Sequence, residues 1–364
     1  MSKLFTENTL TKVIKMKTDY KVLGNYIRLI DERNKNLSIT NLQGVSITKK
    51  FIPSIANIVG TDLSNYKIVR TRQFAYGPVT SRNGEKISIA YLEGEDCIIS
   101  SSYTVFEVEN KEELNPEYLM LWFSRPEFDR YARYKSHGSV REIFDWNELC
   151  MIELPVPTIE EQRNIVKAYK TIIGRIALKQ KVNDNLVAML TAVFFDTFLS
   201  KETIERSKLS ELMVFSNGKS RPKTNGAIPV YGGNGVLSYT NQYNAENAIL
   251  IGRVGAYCGS VYLEQGICWV SDNAISAKSK VSKDEFFDYF LLKWLNLFNH
   301  HVGTGQQLLT QEILNNIEVA KPDIEQVEAF NKKAKSVFET ISTNRNEIVR
   351  LQELSDLLLS RLAG

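Results

Sequence analysis

Gly138 to Phe198 can be laid without a gap on Gly303 to Ala363, a shift of 165 residues. Ile152-Glu153-Leu154-Pro155-Val156-Pro157-Thr158-Ile159-Glu160-Glu161 then falls on Ile317-Glu318-Val319-Ala320-Lys321-Pro322-Asp323-Ile324-Glu325-Gln326. A repeat spaced this widely lies far above the period of solenoids and propellers, so it marks two large half-units in one chain. Two similar halves imply an internal pseudo-dyad. A ligand with its own dyad, such as duplex DNA, is the natural object for one to bind.

Each repeat opens with the same punctuation. Pro157 or Pro322 stops a strand-like segment, and a helix-starting box follows at once, Thr158-x-x-Glu161 or Asp323-x-x-Gln326. In such a box the cap side chain accepts from the backbone N–H three residues on, and the Glu or Gln reaches back. Apolar residues then recur in alternating steps of four and three, which keeps one stripe facing a partner helix. In the first half the seam is Ile165, Tyr169, Ile172, Ile176, Lys179, Asn183, Leu186, Leu190, Val193 and Thr197. In the second it is Phe330, Ala334, Val337, Ile341, Asn344, Ile348, Leu351, Ser355, Leu358 and Leu362. Lys179 and Asn344 stand at matching central positions, and a polar residue inside a seam costs stability while fixing register. About 40 residues at ~1.5 Å each make a rod of roughly 60 Å.

Two irregular blocks alternate with these helices. The first reads as short strands, such as Tyr66 to Arg70 and Cys97 to Phe106, with turns at Tyr76-Gly77-Pro78 and Asn83-Gly84 and an aromatic helix from Asn115. The second repeats the plan, with strands at Ala248–Gly252 and Gly259–Leu263 and a helix around Asp284 to Phe298. Its glycines gather at Gly232-Gly233-Asn234-Gly235 and Gly252-Arg253-Val254-Gly255. The expected class is α+β: two globular domains (21–157 and 205–322) alternating with two long antiparallel coiled-coil helices (158–204 and 323–364), after an ambiguous segment 1–20.

Composition narrows the function. A hydrophobic fraction of 43% and a charged fraction of 24% suit an ordinary globular protein with a real core. A net charge of +3 is too balanced for a histone-like blanket of positive charge but allows local basic patches. Four cysteines without a CxxC pair and three histidines argue for free thiols and no metal. No apolar signal-peptide core opens the chain, and the greasiest run, Leu186 to Leu199, is too short for a bilayer, so a cytoplasmic protein is expected.

Leu154-Pro155-Val156-Pro157-Thr158-Ile159-Glu160-Glu161-Gln162 resembles the start of the first conserved spacer helix of the specificity (S) subunits of type I restriction–modification systems. Ile228 to Gly235, with Ile251 to Gly255 and Trp269 to Ala274, resembles one common class of their target recognition domains. Phe74 to Gly77, with Ile99 to Phe106, resembles another. The loops His137 to Arg141 and Gly303 to Gln307 also fit, while Val327 departs from the pattern where the first half has Gln162. The resemblance covers nearly all the chain after residue 20. It implies that each domain reads one half of a split DNA sequence and that two antiparallel helices hold the domains apart. It implies as partners double-stranded DNA, two modification (methyltransferase) subunits and restriction (translocase/nuclease) subunits. No cofactor is implied on this chain, because S-adenosylmethionine, ATP and Mg would act on the partner subunits, and no membrane is involved. For a rod of the length above, half-sites near one helical turn apart, ~34 Å, are expected.

Two motifs suggest catalysis and fail. Asn115-Pro116-Glu117-Tyr118 lacks the second proline of an amino-methyltransferase site and reads better as a helix start. Gly218-Lys219-Ser220 has Met213 where a phosphate-binding loop needs glycine. No catalysis by the chain itself is expected. The rival readings are a coiled-coil scaffold that binds no DNA and a fused enzyme, the latter disfavoured by the missing cofactor motifs. Arg and Asn pair in two places with guanine or adenine edges. The DNA-reading candidates are therefore Arg70, Arg72, Tyr76, Arg82, Asn83, Lys86 and Arg141 in the first domain. In the second they are Lys219, Arg221, Lys223, Asn234, Tyr239, Arg253, Gln306 and Gln307. Under the 165-residue shift Arg141 falls on Gln306, so guanine is expected at one half-site where adenine stands at the equivalent place of the other.

Overall fold

The computed structural model describes residues 20–54, 60–81, 83–138, 141–200, 205–303 and 305–363. Of the segment 1–20, all but Tyr20 lies outside them. The chain divides into two compact units, the first reaching residue 177 and taking in 348 onward, the second spanning 178–347. The division cuts both long helices in mid-course, because each core buries the part of each helix nearest to it.

In unit 1 an antiparallel sheet runs in the order Ile27–Ile30, Thr104–Val108, Phe74–Tyr76, Ile89–Tyr91. Two smaller antiparallel pairs accompany it, Gln43–Val45 with Phe51–Pro53 and Lys67–Val69 with Cys97–Ile99. The aromatic helix Pro116–Phe123 has Pro116 in its first turn and is capped by Asn115, whose side chain accepts from the N–H groups of Glu117 and Tyr118. That is the helix start argued from sequence in place of a methyltransferase motif. Phe74 stacks on Phe106 at 4.9 Å and Phe123 meets Phe128 at 4.7 Å. Ile165 and Val166 of the first long helix enter the same core as Leu359 and Leu362. The hairpin 43–53 is tied down by half-buried Lys49, which pairs with Asp129, donates to the Ile87 carbonyl and lies over the Phe128 ring.

Unit 2 is built on one six-stranded sheet. Its order is Met213–Asn217, Ala274–Ser279, Ala245–Gly252, Val261–Val270, Ile228–Gly232, Gly235–Thr240. All neighbours are antiparallel except Ile228–Gly232 beside Val261–Val270. The helix Phe286–Trp294 packs Phe287 and Phe290 on Phe194 of the first long helix and Phe290 on Phe330 of the second.

The long helices run Ile159–Phe198 and Ile324–Ser360. The first starts on a capping box, with Thr158 N–H donating to the Glu161 carboxylate at 3.1 Å and Glu161 N–H to the Thr158 hydroxyl at 3.4 Å. The second starts on Asp323, which accepts from Glu325 N–H at 2.8 Å. Within unit 2 Phe194 meets Phe330 while Lys179 Nζ donates to Asn344 Oδ1 at 2.9 Å, so residue numbers rise on one segment as they fall on the other. Lys179 also pairs with Glu347 at 2.7 Å, and Asn344 Nδ2 donates to Asn183 Oδ1 at 2.8 Å. In unit 1 Tyr169 lies against Ser355. Every residue of the two 4-3 series named above is buried or half-buried.

Local details recur 165 residues apart. The strand Glu153–Pro155 pairs antiparallel with Tyr20–Val22, and Glu318–Ala320 pairs antiparallel with Arg206–Lys208. The short helix Trp146–Cys150 is capped by Asp145, and Gln311–Asn315 by Thr310. Among the described residues no helix is long and apolar enough to cross a membrane.

Candidate nucleic-acid interface

Each unit carries one loop of the same construction. His137 and Ile143 exchange backbone hydrogen bonds of 3.0 and 2.9 Å, and Val302 and Leu308 exchange two of 2.9 Å. Between them Gly138 has φ 132° and Gly303 φ 93°. A Cβ at Gly138 would stand 2.2 Å from the Arg141 carbonyl oxygen, and one at Gly303 2.4 Å from that of Gln306. Only glycine closes such a loop without strain. Arg141 and Gln306, which carry those carbonyls, are exposed.

In unit 1 the turn after Tyr76 docks on this loop. Val79 bridges Ile143, Thr80 N–H donates to the Glu142 carbonyl at 3.0 Å, and Phe144 N–H to that of Pro78 at 2.9 Å. This brings half-buried Asn83 and exposed Lys86 onto the same surface element as Arg141. Asn83 is partly spent on its own turn, its Nδ2 donating to the Val79 carbonyl at 3.4 Å. Arg82 lies outside the described residues. Arg70 and exposed Arg72 sit on a different turn. The Arg70 guanidinium bonds Glu32 and Asp96, which raise its pKa above the usual arginine value. Tyr76 corrects the sequence reading: it is fully buried, edge-on to Phe106 and Phe144, and cannot touch DNA. Phe74 and Tyr76 both point into the core from one strand, so the apparent aromatic turn is core packing followed by a turn.

Unit 2 gathers more segments around its loop. Val254 bridges Leu308, Gly255 N–H donates to the Gln307 carbonyl at 3.0 Å, and Leu309 N–H to that of Arg253 at 2.9 Å. Arg253 N–H in turn donates to the Asn273 carbonyl at 3.0 Å. The turn at Gly233 presses on both, since a Cβ there would lie 3.6 Å from the Val254 carbonyl oxygen and 3.7 Å from that of Asn273. Exposed Asn234 follows it, and Lys219 is tied alongside through its N–H on the Val270 carbonyl at 2.9 Å. Lys219, Asn234, Arg253, Gln306 and Gln307 thus come together. Arg221 and Lys223 are exposed on the segment following Lys219, and Tyr239 is exposed on the edge strand. The Arg253 Nε is buried without a hydrogen-bond partner, a cost that a bound acceptor would offset.

Sequence reasoning passed over two aromatics beside these loops. Tyr134, 81% exposed, ends the helix that leads into loop 137–143, and Tyr257, 50% exposed, follows Gly255. Tyr257 was legible two residues beyond the glycine-bracketed run that holds Arg253. Tyr134 carried no signal except an aromatic at the end of a strongly charged helix. Among the described residues no cluster of His, Cys, Asp and Glu could hold a metal.

Two sheet-and-helix units, each with a glycine-closed loop and a share of both long helices, form an architecture that known proteins share. Residues 65–188 and 201–355 match the type I restriction modification DNA specificity domain. The chain belongs to that family: it is a specificity subunit, a non-catalytic DNA-recognition component of a type I restriction–modification complex. The protein described as the MjaX type I restriction enzyme specificity subunit of Methanocaldococcus jannaschii is 20% identical, over 96% of this chain and 92% of that one. The EcoprrI specificity subunit of Escherichia coli is 23% identical over 41% of this chain and 39% of its own length. Among solved structures, the S subunit of a type I system from M. genitalium superposes with a TM-score of 0.63 at 14% identity, covering 96% of this chain and 98% of that one. A chain from work on assembly and conformational transition of the type I R-M system gives 0.52 at 16% identity, covering 96% and 100%.

Proposed function

We propose that the chain reads a bipartite DNA target, one half-site per globular domain, with the two long helices serving as an antiparallel coiled-coil spacer related by a pseudo-dyad. The observation that carries this reading is the duplicated loop. The bridges His137–Ile143 and Val302–Leu308, each with its left-handed glycine, stand 165 residues apart and present Arg141 and Gln306. Side chains of these types read base edges when held on a rigid support, while neighbouring lysines supply phosphate contacts. Arg141, Asn83 and Lys86 would read for unit 1, and Lys219, Asn234, Arg253, Gln306 and Gln307 for unit 2. The Lys179–Asn344 contact joins two residues that are themselves 165 apart, which is what a pseudo-dyad through the spacer requires. Two modification subunits would dock on the outer helix faces, where Met189 and Leu354, also 165 apart, are exposed. S-adenosylmethionine, ATP and Mg would act on partner subunits in the cytoplasm.

A genome-wide map of modified adenines, with the gene intact and deleted, tests the reading. Deletion should erase one motif of two short blocks around a fixed gap; an unchanged map refutes it. A chain that binds proteins alone would lack DNA affinity that falls steeply with added salt.

A further inference from the structure

Two buried side-chain amides do one job at positions the repeat does not equate. Gln162, in the first turn of the first long helix, is 0% exposed. Its Oε1 accepts from Asn115 N–H at 2.7 Å, and its Nε2 donates to the carbonyls of Glu113 at 2.9 Å and Pro157 at 2.8 Å. The repeat places Val327 at the counterpart position, and Val327 is buried and has no such groups to offer. One helical turn later stands Asn331, 1% exposed. Its Oδ1 accepts from Phe287 N–H at 2.7 Å, while its Nδ2 donates to the Ser282 hydroxyl and the Asp284 carbonyl, both at 2.9 Å. In both units a saturated amide thus grips the backbone at the N-terminal end of the aromatic helix, Pro116–Phe123 or Phe286–Trp294. A surface ion pair flanks each grip, Arg163 with Glu112 at 2.8 Å and Lys335 with Asp284 at 3.2 Å.

We infer that Gln162 and Asn331 are positioning residues: each fixes the angle between a recognition domain and its long helix, and so the number of base pairs allowed between half-sites. The inference rests on the bipartite reading above. Apolar contact is non-directional, so an aromatic helix could rock on the long helix at small cost. Hydrogen bonds weaken steeply when their angle and distance drift, and a buried amide left half-paired costs more than it gained. Leverage magnifies the drift. Over the ~30 Å of half a long helix, a rotation of about 6° displaces the far end by about 3 Å, close to one base-pair rise. That two different residues a turn apart restore the same grip points to a constraint on geometry rather than on composition.

The test is selection of duplexes from a randomised pool by the full-length chain assembled with its modification subunits. The wild type should return two fixed blocks at one gap length. Gln162→Leu and Asn331→Leu should return the same two blocks with about tenfold weaker discrimination against gaps one base pair longer or shorter. If either variant fails to fold, Gln162→Glu or Asn331→Asp decides, since each keeps the acceptor and the size but loses both donated bonds. Val327→Gln in the Asn331→Ala background should sharpen the gap again. Folded variants with an unchanged gap would overturn the inference and leave the amides as plain stabilisers. A wild type that returns no two-block motif would instead overturn the bipartite reading, so the two failures are distinct.

Discussion

Loop 137–143 of unit 1 and loop 302–308 of unit 2 close with the same bridge, turn on the same glycine and lead into helices capped 165 residues apart. The sheets behind them differ, four strands and two small pairs against one sheet of six. The side chains in front differ as well, Arg141 against Gln306. A left-handed turn against a carbonyl admits essentially one residue, so the frame is held in both halves. An exposed side chain answers to its ligand alone, so the two halves can diverge there. Between these extremes lies the joint, where Gln162 and Asn331 satisfy one requirement from two positions.

The largest loss is expected in unit 1. Asp129→Ala should cost about 3–5 kcal/mol, because it strands the largely enclosed Lys49 ammonium. Burial already pulls the Lys49 pKa down, Asp129 notwithstanding. Thermal unfolding should show the loss in unit 1 while the loops of unit 2 keep their hydrogen-exchange protection.

Unit 2 has its own weak point at the third residue of its aromatic helix. In unit 1 that residue is Tyr118, whose hydroxyl donates to the Pro155 carbonyl at 2.9 Å. In unit 2 it is Asp288, pushed up to about 7 by burial. A carboxyl with a folded pKa above its unfolded value near 3.8 stays protonated in the fold while the unfolded chain ionises. Its contribution therefore falls as pH rises from about 4 to 7 and is constant above. The cost reaches roughly 4 kcal/mol at most. Asp288→Asn should raise the melting temperature at pH 8 and leave it nearly unchanged at pH 4. Equal shifts at both pH values would rule out the buried acid as the cause.

Exchanging the divergent loop residues should act on one half-site each. Arg141→Gln should alter the preferred base in the unit 1 block by about 1–3 kcal/mol of discrimination, and Gln306→Arg in the unit 2 block. An unchanged recognition sequence in both would remove these residues from the reading set. The smallest effect belongs to the seam. With Leu at both 179 and 344 the chain should stay folded, within about 1–2 kcal/mol of the original, because well-packed apolar residues replace a buried polar cluster at little net cost. The helix register should loosen, which cross-linking of cysteines placed along both helices would read. Unfolding of this variant would show that the network does more than hold register.

The long helices were legible because a 4-3 period and a cap are local properties: each depends on neighbours within one or two turns. The strands read at Ala248–Gly252 and Gly259–Leu263 and both aromatic helices were legible for the same reason, whereas Cys97 to Phe106, read as one strand, is two, Cys97–Ile99 and Thr104–Val108, parted by a turn. Tyr76 was misread because turn residues follow it directly, while its burial depends on Phe106 and Phe144, far along the chain. Arg70 looks like a free cation until folding sets Glu32 and Asp96 against it. Val327 looked like a broken repeat until packing brought Asn331 to the start of the aromatic helix. What the sequence determined by itself was periodicity, caps and the glycine turns, which short-range sterics and hydrogen bonds enforce. Which polar groups are spent inside the fold and which stay exposed follows from tertiary structure, because a side chain is consumed only by a partner that folding delivers.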